Sequence, residues 1–246
     1  MTNSASEPGE APQIRLYTQS QNPFSEKVAA ALALKGRAFE RVVSDDPEDV
    51  ARWSPIARTL PVLEIDGRRK ADSAEIVTWL DEVYPEPPLV SADPKTAEAQ
   101  RNLAEWSDSS FSFYWNRWRT ARYPQPGDET PLDDSILSRI RDHVGRHLGR
   151  TPRTRADARE IEVIQQLIDR MTDLVGFLRD RTYFHGDQPS IADITIYSML
   201  TILREGPIPN CAEAIEERPT LAAFLDRMDG LIKSLETGPP PTGARA

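Results

Sequence analysis

The chain has 246 residues and a formal net charge of −9, which argues against a general nucleic-acid binder because phosphate is bound by a basic surface. Its 39% of hydrophobic and 28% of charged residues are ordinary for a globular protein with a sizeable core. No apolar run approaches the roughly 20 residues of a membrane span, and we expect no secretory signal in the polar N-terminus. The single cysteine excludes an internal disulfide, which fits a reducing cytoplasm, so we expect a cytoplasmic protein. From the net charge and the lack of a long apolar run, we expect neither nucleic-acid nor membrane partners.

Strand and helix signals alternate over residues 13–85. A helical segment between the first two strands predicts that these strands pair in parallel, and a hairpin adds an antiparallel pair. This part therefore has an α/β pattern with a mixed sheet. The predicted elements are a strand (14–18), a helix (23–36, with Gly36 as its C-cap), a strand (38–43), a helix (46–53), a hairpin (61–66 and 68–71) and a helix (73–85).

The pattern changes after the proline-rich stretch 86–94, which predicts a linker. Beyond it the long segments have helical spacing, so we expect an all-α bundle domain over residues 95–236. Residues 1–12 and 237–246 are polar and are predicted to be disordered tails. The predicted helices cover 94–120, 135–149, 155–181, 190–205 and 219–236, with a loop at 121–134.

Three stretches together resemble the cytosolic glutathione S-transferase superfamily. "NPFSEKVAAALALKG" (22–36) is similar to the S/C-P-F helix start of the tau, zeta and omega classes. "RTLPVLEIDGRRKADSAEIVTWLDEVYP" (58–85) resembles the family's V-P-x-L strand, hairpin and E-S-x-x-I helix, and its first part also resembles bacterial aryl-ether-cleaving members. "FHGDQPSIADITIYSML" (184–200) resembles the family's S/T-x-x-D capping box. The resemblance implies a thioredoxin-like βαβαββα domain, a helical domain, glutathione as co-substrate without a metal, and a homodimer.

The resemblance places Asn22 where relatives carry the Ser or Cys that handles the glutathione thiol. A helix start favours a thiolate, and the amide of Asn22 can donate to the sulfur but cannot accept its proton. Asn is also a strong N-cap, so capping and sulfur contact are both open. Ser20, Ser25 and Tyr17 are the reserve donors, although Ser25 also fits a local backbone bond and Tyr17 a core position in its strand.

Five further residues are implied in glutathione binding. The family resemblance implies a cis Leu60–Pro61 bond that turns the Leu60 backbone toward the cysteinyl group, whereas an ordinary proline at a strand start is the alternative. Asp72 and Ser73 match the pair that binds the γ-glutamyl end, and both also fit a helix cap. Arg58 is a candidate for the glycyl carboxylate, in a loop one residue longer than the family's.

The segment 106–119, "WSDSSFSFYWNRWR", is the most aromatic of the chain. In the family the corresponding helix lines the electrophile pocket, so we expect a wide aromatic site for a small hydrophobic electrophile, with bundle packing as the alternative. Arg117 and Arg119 either attract an anionic substrate or are solvated. The predicted pocket residues are Phe24, Trp106, Phe113, Tyr114, Trp115 and Trp118.

Ser190 and Asp193 are predicted to form a structural capping box rather than a catalytic pair. We predict no metal site, since no metal-ligand spacing is found at His143, His147 or His185, and an inert or mildly reactive thiol at Cys211.

The leading functional prediction is a glutathione transferase that presents a glutathione thiolate to a hydrophobic electrophile. Three alternatives stay open: a glutathione-binding protein without catalysis, a glutathione-dependent disulfide reductase, and an ether-cleaving enzyme that uses the same thiolate.

Overall fold

The computed structural model describes residues 13–123 and 154–237, with a mixed α/β part followed by an all-helical part, as the sequence predicts. The predicted helix 135–149, both predicted tails apart from one residue, and most of the predicted loop 121–134 lie outside the described residues. The strands are β1 (Ile14–Thr18), β2 (Glu40–Val43), β3 (Val62–Ile65) and β4 (Arg68–Ala71). The described helices are α1 (Pro23–Leu34), α2 (Pro47–Trp53), α3 (Ser73–Val83), α4 (Pro94–Arg122), α5 (Arg155–Leu178), α6 (Ile191–Glu205), α7 (Cys211–Glu216) and α8 (Pro219–Thr237).

The sheet has the strand order β2-β1-β3-β4. β1 pairs in parallel with β2 and antiparallel with β3, so that Leu16 lies opposite Leu63. The β3–β4 hairpin turns through Asp66 and Gly67, both at positive φ, which is the backbone that a tight two-residue hairpin needs. The predicted parallel pair, hairpin and mixed sheet are confirmed.

Helix α1 ends two residues before the predicted end at Gly36. Lys35 is its C-cap, and Gly36 follows in the left-handed region with φ 62. The Gly36 N–H donates to the Ala33 carbonyl at 2.8 Å and the next N–H, of Arg37, to the Leu32 carbonyl at 2.9 Å. These two bonds form a Schellman motif, which satisfies carbonyls that the helix itself leaves unpaired.

One hydrophobic core joins the two parts of the chain. It contains Leu16 and Leu63 from the sheet and Phe184 and Phe224 from the helical part. α1 lies between them and buries nearly every residue from Lys27 onward, because its alanines allow close approach on several sides. The start of α1 is thus held at the seam between the sheet and the helices.

The predicted linker 86–94 is anchored through Leu89, whose side chain, N–H and carbonyl all have partners in the fold. The Leu89 side chain is buried, its N–H donates to Asp81 Oδ1 at 2.9 Å, and its carbonyl accepts from the Ile191 N–H at 2.8 Å. The buried Lys35 ammonium donates to Asp81 and to the Pro87 carbonyl. The linker therefore ties α1 and α3 to α6.

Two further predicted helices end earlier than expected, and one helix was not predicted. The predicted helix 73–85 stops at Val83, and the predicted helix 155–181 stops at Leu178, where Arg179 takes a positive φ of 56. The short helix α7 was not predicted, because its six residues are too few to show a period. None of the described helices combines the length and apolar character that crossing a membrane requires.

Candidate functional site

A cleft of about 910 Å³ lies between the α/β part and helix α4. Its first wall is built from the starts of α1 and α3 and from the bend that leads into β3. Its second wall is one face of α4. Ten predicted site residues line it: Ser20, Asn22, Phe24, Arg58, Leu60, Pro61, Asp72, Ser73, Trp115 and Trp118.

Asn22 joins two pieces of the first wall. Its Oδ1 accepts from the N–H groups of Phe24 at 3.0 Å and Ser25 at 3.2 Å, which confirms that it caps α1. Its Nδ2 donates to the Leu60 carbonyl at 3.2 Å. Since an amide nitrogen carries two hydrogens, one of them remains for a ligand in the cleft. The cap and a contact to a ligand sulfur are therefore compatible.

The Leu60–Pro61 peptide bond is cis, as predicted. It stands directly before β3 and puts the Leu60 backbone against the start of α1, where Asn22 binds the Leu60 carbonyl. Arg58, two residues earlier, is exposed at the cleft with a positive φ of 53. Its own N–H donates to the Ser54 carbonyl at 2.8 Å, which fixes the loop that carries it.

The start of α3 combines a cap with a place for an anion. Asp72 is the N-cap, and its Oδ1 accepts from the N–H groups of Ala74 at 2.9 Å and Glu75 at 3.1 Å. Only one carboxylate oxygen is used in this way, so the other can still accept from a bound ammonium. Ser73 and Ala74 line the cleft at the positive end of the helix dipole.

Helix α4 presents its aromatic residues to different surroundings, which corrects the prediction of one aromatic pocket. Trp115 and Trp118 line the cleft. Trp106 and Tyr114 instead line a small apolar cavity of about 40 Å³ with residues of α5 and α6, and Phe113 is half exposed in another depression. Successive helix residues point about 100° apart, so a run of aromatics cannot face one side.

The reserve donors Tyr17 and Ser25 do not line the cleft, and this too is a correction. Tyr17 is buried on the far face of the sheet, where its ring lies 5.0 Å from that of Trp53 and its hydroxyl 3.4 Å from Glu64 Oε2. Ser25 is the third residue of α1 and turns into the core, where it is fully buried. Ser20 does line the cleft, and its N–H donates to Asp45 Oδ1 at 3.0 Å.

Asp108 is a cleft residue that the sequence analysis missed. It sits on α4, and its Oδ2 lies 2.6 Å from the Nζ of Lys27 on α1, whose side chain is only 1% exposed. Burial raises the pKa of the Asp108 carboxyl, the Lys27 ammonium opposes this, and the charge of Asp72 adds to the rise. The two carboxylates therefore lie near each other at one end of the cleft.

A helical period identifies the cleft face of α4. Asp108, Ser112, Trp115 and Arg119 follow each other at steps of four, three and four residues, and all line the cleft. This is the spacing of one helix face. The sequence analysis followed the aromatic residues of this segment and so missed the cleft face, on which two of these four residues are charged and only one is aromatic.

The predicted capping box lies away from the cleft. Ser190 is the N-cap of α6, and Asp193 Oδ2 accepts from its N–H at 2.9 Å and its hydroxyl at 2.7 Å. Asp193 Oδ1 accepts from the Phe184 N–H at 2.9 Å, so the buried carboxylate also fixes the segment before the helix. The capping box predicted for these two residues is present.

The remaining titratable candidates form no metal centre in the described ranges. Burial raises the pKa of the Cys211 thiol to about 12, which makes it inert as a nucleophile. Burial and the charge of Arg181 lower the pKa of His185, whereas His143 and His147 lie outside the described residues. Among residues 13–123 and 154–237, no group of three or more His, Cys, Asp or Glu side chains is arranged to hold a metal ion.

Two family profiles match the chain. "Glutathione S-transferase, N-terminal domain" covers residues 23–83, and "Glutathione S-transferase, C-terminal domain" covers residues 167–228. The first profile contains Leu60, Pro61, Asp72 and Ser73. The two profiles thus cover parts of both halves of the fold and the part of the first wall that follows Asn22.

Two of the three curated relatives described next are named as glutathione S-transferases, and the third is named as an isomerase. The chain is 30% identical to glutathione S-transferase U6 of Arabidopsis thaliana over 104 residues, which are 41% of this chain and 46% of that protein. It is 26% identical to the probable glutathione S-transferase MSR-1 of Nicotiana plumbaginifolia over 191 residues, 76% of this chain and 72% of that protein. It is 32% identical to the maleylacetoacetate isomerase of Pseudomonas aeruginosa over 100 residues, 37% of this chain and 47% of that protein. The chain thus spans about half the length of two of these three relatives.

Solved structures share the fold. The β-etherase LigF from Sphingobium sp. strain SYK-6 superimposes with a TM-score of 0.65 at 21% identity, over 91% of this chain and 98% of that one. The rice GST1 structure in complex with glutathione gives a TM-score of 0.62 at 22% identity, over 93% of this chain and 92% of that one. At these identities the likeness extends to the fold alone.

Proposed function

Because the chain belongs to the cytosolic glutathione S-transferase superfamily, we propose that it binds glutathione and activates its thiol for attack on a small hydrophobic, aromatic electrophile. One observation carries the proposal. The start of α1, the Leu60–Pro61 bend and the start of α3 line one cleft, with Trp115 and Trp118 opposite them. A peptide thiol and an aromatic partner can therefore meet between the two walls.

The first wall offers partners for each part of glutathione. At the start of α3, Ser73 and the first-turn N–H groups suit the γ-glutamyl carboxylate, and the second oxygen of Asp72 suits the glutamyl ammonium. The Leu60 backbone beside the cis bond suits the cysteinyl group. Arg58 at the cleft supplies a cation for the glycyl carboxylate.

The chemistry then needs a thiolate. A free thiol has a pKa of about 8.5, and a helix N-terminus lowers it because the helix dipole favours the anion. The second N–H of the Asn22 amide donates to the sulfur, while the proton leaves to solvent because an amide cannot accept it. The thiolate forms a carbon–sulfur bond with the electrophile, and the leaving group departs with its bonding electrons. An aryl ether carbon attacked in the same way would release an alkoxide or phenoxide.

A glutathione-binding protein without turnover is the second candidate. It is favoured by the bonding of Asn22, whose oxygen and one N–H are already engaged with Phe24, Ser25 and Leu60. A single remaining N–H is a weaker aid to a thiolate than a hydroxyl that donates without competition. For either candidate we propose a homodimer, because the family typically dimerises; light scattering of the purified chain tests this.

Glutathione binding is tested first, by thermal shift and by retention on immobilised glutathione. Glutathione at a hundredfold excess over Kd stabilises a folded protein by about 2.7 kcal/mol. For a chain of this size that corresponds to a Tm increase of roughly 5–10 °C. If millimolar glutathione changes neither the Tm nor the retention, both candidates are rejected. Turnover of 1-chloro-2,4-dinitrobenzene with glutathione then separates the transferase from the binding protein.

A further inference from the structure

We propose that the cleft selects aromatic electrophiles that carry an acidic group, and that Arg119 is the residue that recognises this group. The inference deepens the proposed function, because it names the substrate class of the same cleft. It rests on four observations: the place of Arg119, its lack of an internal partner, the aromatic side chains beside it, and the contrast with Arg117.

Arg119 is the one basic residue that the described helical part contributes to the cleft. It is exposed, and across the described ranges its guanidinium forms neither an ion pair nor a hydrogen bond. By contrast Lys27 of α1, which pairs with Asp108 of this wall, is buried. Within the described residues Arg119 is therefore an unpaired cation that lines the cleft, outside the internal charge pairing.

Arg119 is far from the end of the cleft that suits the glutamyl group. Asp72, which suits the glutamyl ammonium, and Asp108 both line the cleft, and the contribution of the Asp72 charge to the raised pKa of Asp108 indicates that the two carboxylates lie near each other. Arg119 follows Asp108 by eleven residues on the same helix face, which at 1.5 Å per residue places it about 16 Å further along the axis. The second substrate, rather than the glutamyl group, would meet this guanidinium.

The side chains around Arg119 suit an aromatic acid. Trp115 precedes it by one helical turn, and Asn116 and Tyr123 also line this end of the cleft. A ring that packs against Trp115 would carry a carboxylate or sulfonate to the guanidinium, whose planar fork binds such groups through two parallel hydrogen bonds. A neutral ring keeps the packing but lacks this pair of charge-assisted bonds. The cleft therefore favours the acid without excluding the neutral analogue.

Arg117 provides an internal comparison. It lies two residues earlier on α4, with its guanidinium carbon 5.2 Å from the centroid of the Phe113 ring. It lines a separate depression with Thr120 and Val163, because two helix residues are about 200° apart around the axis. The two arginines thus share a helix, a charge and exposure, but only Arg119 faces the cleft.

The test compares Arg119→Gln with Arg117→Gln on a matched pair of electrophiles, 4-chloro-3,5-dinitrobenzoate and its methyl ester. We expect Arg119→Gln to lower kcat/KM for the acid about tenfold, the loss of roughly one charge-assisted interaction. The same variant should leave kcat/KM for the ester within about twofold, and Arg117→Gln should change neither. Raising the salt concentration should weaken the wild-type preference for the acid, because both charges are accessible to solvent.

Three kinetic results would overturn the inference. If Arg119→Gln raises KM for glutathione with both electrophiles, Arg119 binds the glycyl carboxylate of glutathione. If the acid and the ester lose rate equally, Arg119 supports the wall of the cleft rather than the acidic group. An equal effect of Arg117→Gln on the acid would show that general surface charge, not a specific contact, produces the preference.

A binding measurement separates this inference from the proposed function. Unreactive 3,5-dinitrobenzoate and its methyl ester are titrated against the fluorescence of the cleft tryptophans Trp115 and Trp118. If glutathione does not bind but the acid still binds better than the ester, and only while Arg119 is present, the transferase proposal fails and the acid site stands. If glutathione binds while wild type and Arg119→Gln prefer the acid equally, the acid site alone fails.

Discussion

At the residue scale, Asn22 joins two pieces of the fold and keeps one N–H for the ligand that we propose. Its oxygen caps α1, and its nitrogen donates to the Leu60 carbonyl in the bend before β3. Because both ends of the amide are bonded, its orientation is fixed, and the group that is left over is a hydrogen-bond donor rather than an acceptor. We therefore propose that the site stabilises a thiolate by hydrogen bonding, since an amide supplies no nucleophile.

Asn22→Asp separates the cap from the donor. Asp and Asn cap helices about equally well, but Asp cannot donate to the Leu60 carbonyl, so we expect the free energy of unfolding to fall by about 1–3 kcal/mol. The variant also lacks the N–H that we propose for the sulfur and places a negative charge beside it. The pKa of the bound glutathione thiol should therefore rise, and kcat/KM should fall by at least about tenfold. The pH profile of kcat/KM, together with urea unfolding, measures both effects.

Asp46→Ala is the matched control for this variant. Asp46 caps α2, where its side chain accepts from the Glu48 N–H at 2.8 Å, and it does not line the cleft. Its loss should cost about 1 kcal/mol of stability without changing kcat/KM. If Asn22→Asp behaves in the same way, Asn22 is a cap and takes no part in thiol activation.

His185 gives the chain a defined pH dependence. Burial, then the charge of Arg181, lowers its pKa below the ordinary 6.5, while Asp193 opposes the shift. As the pH falls, the unfolded chain therefore binds a proton at His185 at a higher pH than the folded chain does. The stability that neutral His185 contributes is present above pH 6.5 and is lost as the pH falls below it. Urea unfolding across this range should show that wild type loses more stability on acidification than His185→Gln. An identical pH dependence in the two proteins would contradict the assignment.

At the element scale, the order of strands and helices in the α/β part was predictable from the sequence. Which face of α4 lines the cleft was not. Local signals such as the turn at Gly67 and the cap at Asn22 decide where an element begins and ends. Which side of a long helix meets the cleft depends on its packing partners, so Trp106 and Trp115 looked equivalent in the sequence. The cis bond before Pro61 was predictable from the resemblance, whereas Asp108 needed the opposite wall to be known.

The Lys27–Asp108 pair ties α1 to α4 across the seam between the two parts. The Lys27 side chain is 1% exposed and that of Asp108 is 23% exposed, so removing the ammonium leaves a largely buried carboxylate unpaired. We expect Lys27→Met to lower the free energy of unfolding by about 3 kcal/mol. The double variant Lys27→Met with Asp108→Leu should recover part of this loss in urea unfolding, because no buried charge then remains.

The exposed pair between Arg52 and Asp49 on α2 is the control for this cycle. The Arg52 side chain is 70% exposed, so Arg52→Met should change stability by less than about 1 kcal/mol. Equal losses of unfolding free energy in Lys27→Met and Arg52→Met would show that the Lys27–Asp108 pair contributes no more to stability than an exposed pair.

At the scale of the whole molecule, the two parts share one core instead of packing as separate bodies. Residues of the sheet, of α1 and of the helical part belong to a single hydrophobic cluster. The cleft lies on the same seam, with its two walls contributed by different parts. The geometry of the site therefore depends on the contact between the parts as much as on either wall.

The anchored segment at Leu89 has a consequence for how this fold can be recombined. Its bonds to Asp81 and Ile191 join α3 to α6, and the buried Lys35 holds Pro87 in the same place. A chimera that exchanges the helical half for that of a homologue would cut through these bonds, even with its crossover in an apparently loose proline-rich stretch. A working chimera must take Lys35, Asp81 and Leu89 from the same parent protein. The proline-rich linker 86–94 is therefore a poor place for the crossover.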